Sequence, residues 1–279
     1  MNREPNAGTA AATVAWIARG ALALTLIGQP ARVLFSGGKV FDALYTELRW
    51  CDEMTALGID RAMLVAMAIG ALVVLSPRPR LGFVLGGLGL TVTMIATMIV
   101  ELRWQSLVPI EQALRWSVPW ILLLWLDPRG RPIPDRTDAA VECLRVAVAA
   151  TFVGHGIEAL ARNPHFVDLI YSFATATGGL RPDLAVAETL LRIIGGIDLV
   201  VALLVVTTRW VPVAAWMAFW GMATAFARVI HAGPSAWPEV ALRSVHFGVP
   251  LALLVVFASS ALRARDPLEK IRSNDASTT

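Results

Sequence analysis

Charge is scarce in this chain. Only 16% of its 279 residues are Asp, Glu, Lys or Arg, where a soluble domain carries about 25%. With 56% hydrophobic residues, the deficit argues against an ordinary water-soluble globule and points to a bilayer as the main solvent. Basic blocks are also missing. The net charge of +3 is small and dispersed, which speaks against a nucleic-acid partner. Cysteine is limited to Cys51 and Cys143, so there is no C-x-x-C redox pair. The apolar segments lack period-2 alternation, which disfavours a β-barrel. No specific metal motif, Ser/His/Asp arrangement or phosphate loop is present.

What the chain has is long apolar runs rich in Leu and Ala. They predict an all-α polytopic membrane protein with about eight spans, near 13–33, 61–76, 81–100, 110–126, 140–160, 187–207, 210–230 and 239–259. The second and fourth are short for an upright span and are expected to extend into flanking polar residues. Trp16, Trp125 and Trp210 fall at one set of helix ends, and Trp50, Trp104 and Trp237 at the other, as interfacial belts require. The long connections after the first and fifth spans carry apolar residues at helical spacing: Val40, Phe41, Leu44, Leu48 and Cys51, then Phe166, Leu169, Ile170 and Phe173. Both read as short amphipathic helices on the outer interface. Arg-Asn-Pro-His at 162–165 reads as a loop with a solvated His165.

The termini and even-numbered connections carry the larger share of Lys and Arg, including Arg3, Arg78, Arg80, Arg129, Arg131, Arg136 and Arg209. The positive-inside rule then places both termini in the cytoplasm of a multi-pass inner-membrane protein. Arg19 interrupts the first apolar stretch, so this stretch reads as a retained span and not as a cleaved signal. Cys51 and Cys143 should face opposite sides of the bilayer and remain unpaired. The tail 263–279 is polar and expected to be disordered in the cytoplasm.

The sequence also repeats itself. Glu111-Gln-Ala-Leu-Arg115 matches Glu239-Val-Ala-Leu-Arg243. Arg19, Thr25 and Gly28 match Arg145, Thr151 and Gly154 at an offset of 126. Arg61 and Arg192, and Arg78 and Arg209, hold equivalent places in later runs. The expected organisation is a first four-helix unit over 1–126, a Pro-rich cytoplasmic hinge at 127–138, and a second unit over 139–262. Four spans per unit make the repeat parallel. All four histidines lie in the second unit.

Leu144-Arg145 followed by Gly154-His155-Gly156 and a long outer loop resembles the start of a DoxX-like unit. So does Leu191-Arg-Ile-Ile-Gly-Gly-Ile-Asp-Leu199, since an acidic residue in a Gly-rich second helix is typical of that family. The resemblance implies two fused four-helix DoxX-like units. It also implies association with membrane redox complexes or quinone-coupled chemistry, through a membrane or periplasmic partner. The first unit departs from the pattern, with Gln29-Pro30 in place of His155-Gly156 and Met67 in place of Asp198.

Ionisable groups within hydrocarbon are costly, by about 2.5–3.5 kcal/mol at a helix centre, and usually find partners inside a bundle. Glu111/Arg115, Glu188/Arg192 and Glu239/Arg243 are each four apart and read as ion pairs that knit helix ends. His155, Glu158, Asp198, Arg228, His231 and His246 are the candidate ligand-binding residues, gathered in an outward-facing cavity of the second unit. The leading reading is a quinone or similar lipidic headgroup, with imidazole and carboxylate managing its protons and Trp216 and Trp220 as an aromatic wall. A carrier built on the duplication is the alternative. A b-type haem on two of His155, His231 and His246 ranks lowest, because a lone His near a helix end commonly serves as an interfacial hydrogen-bonder. No other metal is expected.

Overall fold

A computed structural model describes residues 7–101, 106–179 and 181–263. Arg3, Arg103, Trp104 and the tail from residue 264 lie outside the described residues. Among those described there are twelve α-helices and no β-strand. The first half contains α1 (Ala7–Ser36), α2 (Lys39–Phe41, running into a π-helical turn at Asp42–Glu47), α3 (Glu53–Val74), α4 (Arg80–Val100), α5 (Val108–Glu111) and α6 (Ala113–Trp125). The second contains α7 (Thr137–Leu160), α8 (Pro164–Ala176), α9 (Leu184–Thr207), α10 (Val211–Ala232), α11 (Trp237–Leu242) and α12 (Ser244–Arg263). Among the described residues, seven helices are long and apolar enough to cross a membrane. The segment expected as the fourth span is different. It breaks at Gln112, leaving α6 with 13 residues, about 20 Å of helix. The last span is likewise broken, at Arg243, between α11 and α12.

The helix starts follow local chemistry. Asp52 accepts the Thr55 backbone N–H at 3.0 Å and the Thr55 hydroxyl at 2.8 Å. These bonds cap α3 and hold the Asp52 carboxyl below its usual range. Asp183 caps α9 through the Val186 N–H at 2.8 Å. The second span therefore begins well before residue 61, as its short apolar run required.

The four central helices are α1, α6, α7 and α12, with α3, α4, α9 and α10 outside them. The first helix of each half packs on the broken helix of the other: α1 on α11 and α12, and α7 on α5 and α6. One hydrophobic core, including Leu22, Leu26, Leu114, Leu122, Leu144, Leu253 and Phe257, runs through both halves. Glycine makes the two cross-contacts possible. A Cβ on Gly28 would run into the backbone nitrogen of Leu242, and one on Gly154 would lie 2.6 Å from that of Glu111. Nearby, Thr151 accepts the Leu114 N–H at 3.2 Å, which satisfies a donor at the start of α6. Ser244 at the start of α12 donates to the Ala21 carbonyl at 2.6 Å and lies 3.0 Å from the Thr25 hydroxyl.

Two buried arginines play matching roles at the end of the bundle that holds residues 7 and 263, the proximal end. Arg19 Nε donates to the Val74 carbonyl at 2.9 Å and Nη2 to that of Ser76 at 2.7 Å. Arg145 Nε donates to Val205 at 2.9 Å, and Nη2 to Val206 and Thr208 at 2.7 and 2.9 Å. Each guanidinium thus satisfies carbonyls at the C-terminal end of the next long helix, where the helix dipole is negative.

Trp16, Trp50, Trp210 and Trp237 are exposed, as interfacial residues would be. Trp125 is not. It is 1% exposed and donates to the Thr137 hydroxyl at 3.1 Å, because the 127–138 connection folds back over it. In that connection Asp127 accepts the N–H groups of Arg129 and Arg131, both at 2.8 Å. Cys51 and Cys143 are free.

Candidate functional site

At the opposite, distal end, the central helices bring together a polar cluster from both halves. On α7, His155 and Glu158 are three residues apart and share a face, with His155 Nδ1 3.6 Å from Glu158 Oε2. The close approach at Gly154 sets α5 beside them, so Glu111 joins the pair. One donor atom from each of Glu111, His155 and Glu158 lies within 4.8 Å of the others. Both carboxylates are oriented by amides: Gln112 Nε2 donates to Glu111 at 3.3 Å, and Asn163 Nδ2 to Glu158 at 3.2 Å. His246 of α12 completes this side. It is 5% exposed, and its ring centroid is 5.8 Å from that of His155.

Cations form the other side. Arg243 pairs with Glu239, which also takes Arg32 Nε at 2.8 Å. Arg115 and Arg228 are near enough to both histidines to act on them electrostatically. Four nitrogens here are buried without a hydrogen-bond partner among the described residues: Arg115 Nε, Arg228 Nε, His155 Nδ1 and His246 Nε2. Buried polar atoms are nearly always partnered in folded proteins, so four exceptions in one place set this end of the bundle apart.

The expected second-unit cavity is therefore redrawn. Glu111 and Arg115 do not form the helix-end ion pair expected of them. Glu111 faces His155 and Glu158, and the site lies on the seam between halves. Glu239/Arg243 does pair, and Glu188 takes Arg192 at 3.5 Å and Arg162 at 3.1 Å, away from the cluster. Asp198 is buried on α9. Its Oδ1 has no partner, and the Trp220 side chain of α10 lies close to its carboxyl. Trp220 stacks on Trp216 with centroids 5.8 Å apart and planes at 8°. Gly195 supports close packing, since a Cβ there would lie 2.6 Å from the Gly156 carbonyl oxygen.

His231 is at the surface, with Nδ1 2.7 Å from the Ser172 hydroxyl. It lines a cavity of about 440 Å³ between α8 and α10, together with Asp168, Tyr171 and Arg181. His165 is not in a loop. Asn163 caps α8 by accepting the His165 N–H at 3.1 Å, and the imidazole Nε2 meets the Arg228 guanidinium. Desolvation, then the charges of Arg228, Arg243 and His231, lower His165 to about 4.

Sequence reasoning passed over Arg32 as a site residue; it lies in the last turns of α1 and pairs with Glu239. Sequence reasoning also passed over Asp60, a carboxylate in the first half that is 3% exposed on α3. The missed signal was that an acid lies on the same helix face as Leu64 and Met67.

Comparison of the chain with protein-family models, with curated proteins and with solved structures finds no match.

Proposed function

We propose that this multi-pass membrane protein consists of two DoxX-like units and holds the headgroup of a quinone or similar lipidic ligand at the distal seam, in concert with a redox partner. The observation that carries the reading is the set of buried nitrogens without partners. Arg115 Nε and Arg228 Nε are N–H donors in every protonation state of interest, and the two imidazole nitrogens donate in the matching tautomer. Such a set calls for a ligand rich in acceptors, and quinone carbonyls supply them. The proposed orientation places the proximal end in the cytoplasm and the seam on the outer side.

The test is titration of a short-chain quinone into the purified protein in nanodiscs. Arg115→Gln and His246→Ala are each expected to weaken binding by about tenfold, the cost of one lost hydrogen bond to a charged or buried group. Wild-type affinity in both variants would sink the reading.

A second reading is favoured by one specific feature. Both fourth helices are discontinuous, at Gln112 and Arg243, and discontinuous helices at a repeat interface are where carriers place their substrates. This alternative requires solute flux in liposomes with no redox partner present.

A further inference from the structure

We infer that the carboxylate side of the seam is a binding site for one divalent transition-metal ion, held by Glu111, His155 and Glu158, with His246 as the adjoining fourth donor. This inference does not depend on the ligand reading above: a nitrogen that ligates the ion no longer donates to a quinone carbonyl, so the two occupants are alternatives at these imidazoles.

The geometry has four parts. First, the three donor atoms lie within 4.8 Å of one another, and His155 Nδ1 to Glu158 Oε2 is 3.6 Å. Ligands about 2.0–2.2 Å from a tetrahedral ion are separated by about 3.3–3.6 Å, so one edge is already formed and the others need a small contraction. Second, two carboxylates share one confined space. Without a cation or a proton between them they repel, and a cation allows both to remain ionised. Third, each carboxylate has an amide donor fixing its orientation, Gln112 for Glu111 and Asn163 for Glu158. Outer-shell bonds of this kind orient metal ligands. Fourth, His246 is buried, with only 5% of its surface exposed, its Nε2 has no partner among the described residues, and its ring centroid lies 5.8 Å from that of His155 with the planes at 57°.

The surrounding charge sets the kind of ion. Arg115, Arg228 and Arg243 act on both histidines, while Glu239, in contact with Arg243 and Arg32, offsets part of this positive charge. A hard cation such as Ca²⁺ or Mg²⁺, bound by charge and oxygen alone, is rejected by this field. A borderline ion that forms strong bonds to imidazole and carboxylate, Zn²⁺ above all, is accepted.

The experiment uses full-length protein without a histidine tag, in detergent and without quinone, titrated with Zn²⁺ and dialysed before metal analysis. One Zn²⁺ per chain is expected, undisturbed by millimolar Mg²⁺. Glu111→Gln and Glu158→Gln are each expected to weaken binding by about tenfold or more. Arg115→Gln is expected to tighten it, the opposite of its effect on quinone, so failure of one proposal is separable from failure of the other. X-ray absorption of the wild-type complex covers the case in which a variant does not fold. It should show nitrogen and oxygen at about 2.0–2.2 Å with imidazole scattering and no sulfur. No retained metal, equal retention by both Glu→Gln variants, or sulfur in the first shell would each overturn the inference.

Discussion

Gly154 and Glu111 belong to different halves of the chain, yet a single methyl group would not fit between them. A Cβ at Gly154 would lie 2.6 Å from the Glu111 nitrogen. The contact holds α7 against the break between α5 and α6, and in doing so carries the Glu111 carboxylate to His155. The fold and the site therefore share this point.

Gly154→Ala is expected to destabilise the protein by about 1–3 kcal/mol through overpacking against backbone. Gly20→Ala on α1, where nothing lies within 4 Å of the added Cβ, should be stabilising by about 0.5–1 kcal/mol because a helical glycine is removed. Thermal unfolding in one detergent compares the two. A Gly154→Ala protein as stable as the Gly20→Ala protein would show that the seam can open without cost.

Arg145→Ala removes the donor to three carbonyls of the α9 terminus. Each buried carbonyl left without a partner costs about 1–3 kcal/mol. Hydrogen exchange in the last turn of α9 and the first turns of α7 should accelerate, with the distal ends affected less. Uniform acceleration over the whole bundle would contradict a local role for this guanidinium.

The docking of α8 should depend on pH. His165 titrates near 4 in the folded protein, below the ordinary value of about 6.5. The unfolded form therefore binds more protons between these values, and stability rises with pH there. The contribution is fully present above about pH 6.5 and is lost as pH falls towards 4. NMR titration of the imidazole checks the midpoint, and exchange of α8 amides checks the consequence. A midpoint at or above 6.5 would rule out the neutral imidazole as the partner of Arg228.

The long helices were legible in the sequence because hydrocarbon demands uninterrupted apolar runs, and α4, α9 and α10 begin and end within a few residues of their runs. The amphipathic spacing of Phe166, Leu169, Ile170 and Phe173 locates α8, but its start at Pro164 falls inside the 162–165 stretch expected as a loop, because Asn163 acts as a cap. The breaks at Gln112 and Arg243 carry no glycine or proline of their own. They lie where the chain packs against Gly154 and Gly28, partners far away in sequence. The repeated Glu-x-Ala-Leu-Arg marked both places without revealing what happens there. The site shows the same limit. His155 and Glu158 were recognisable as one helix face, but their meeting with Glu111 depends on how two halves dock. Histidine content drew attention to the second half, whereas the cluster also needs Glu111, Arg115 and Arg32 from the first.

Arg19 and Arg145 lie at one end of the bundle and the cluster at the other. Arg145 is ten residues before His155, about 15 Å along the axis of α7. By clasping the terminal carbonyls of α9, it prevents α7 and α9 from sliding past each other along the membrane normal, and Arg19 does the same for α1 and α3. The depth at which His155 presents its ring is thus referred to an anchor about half a bilayer away. A mutation there is expected to loosen the register of α7 against α9 at the proximal end first, without touching any residue of the distal seam.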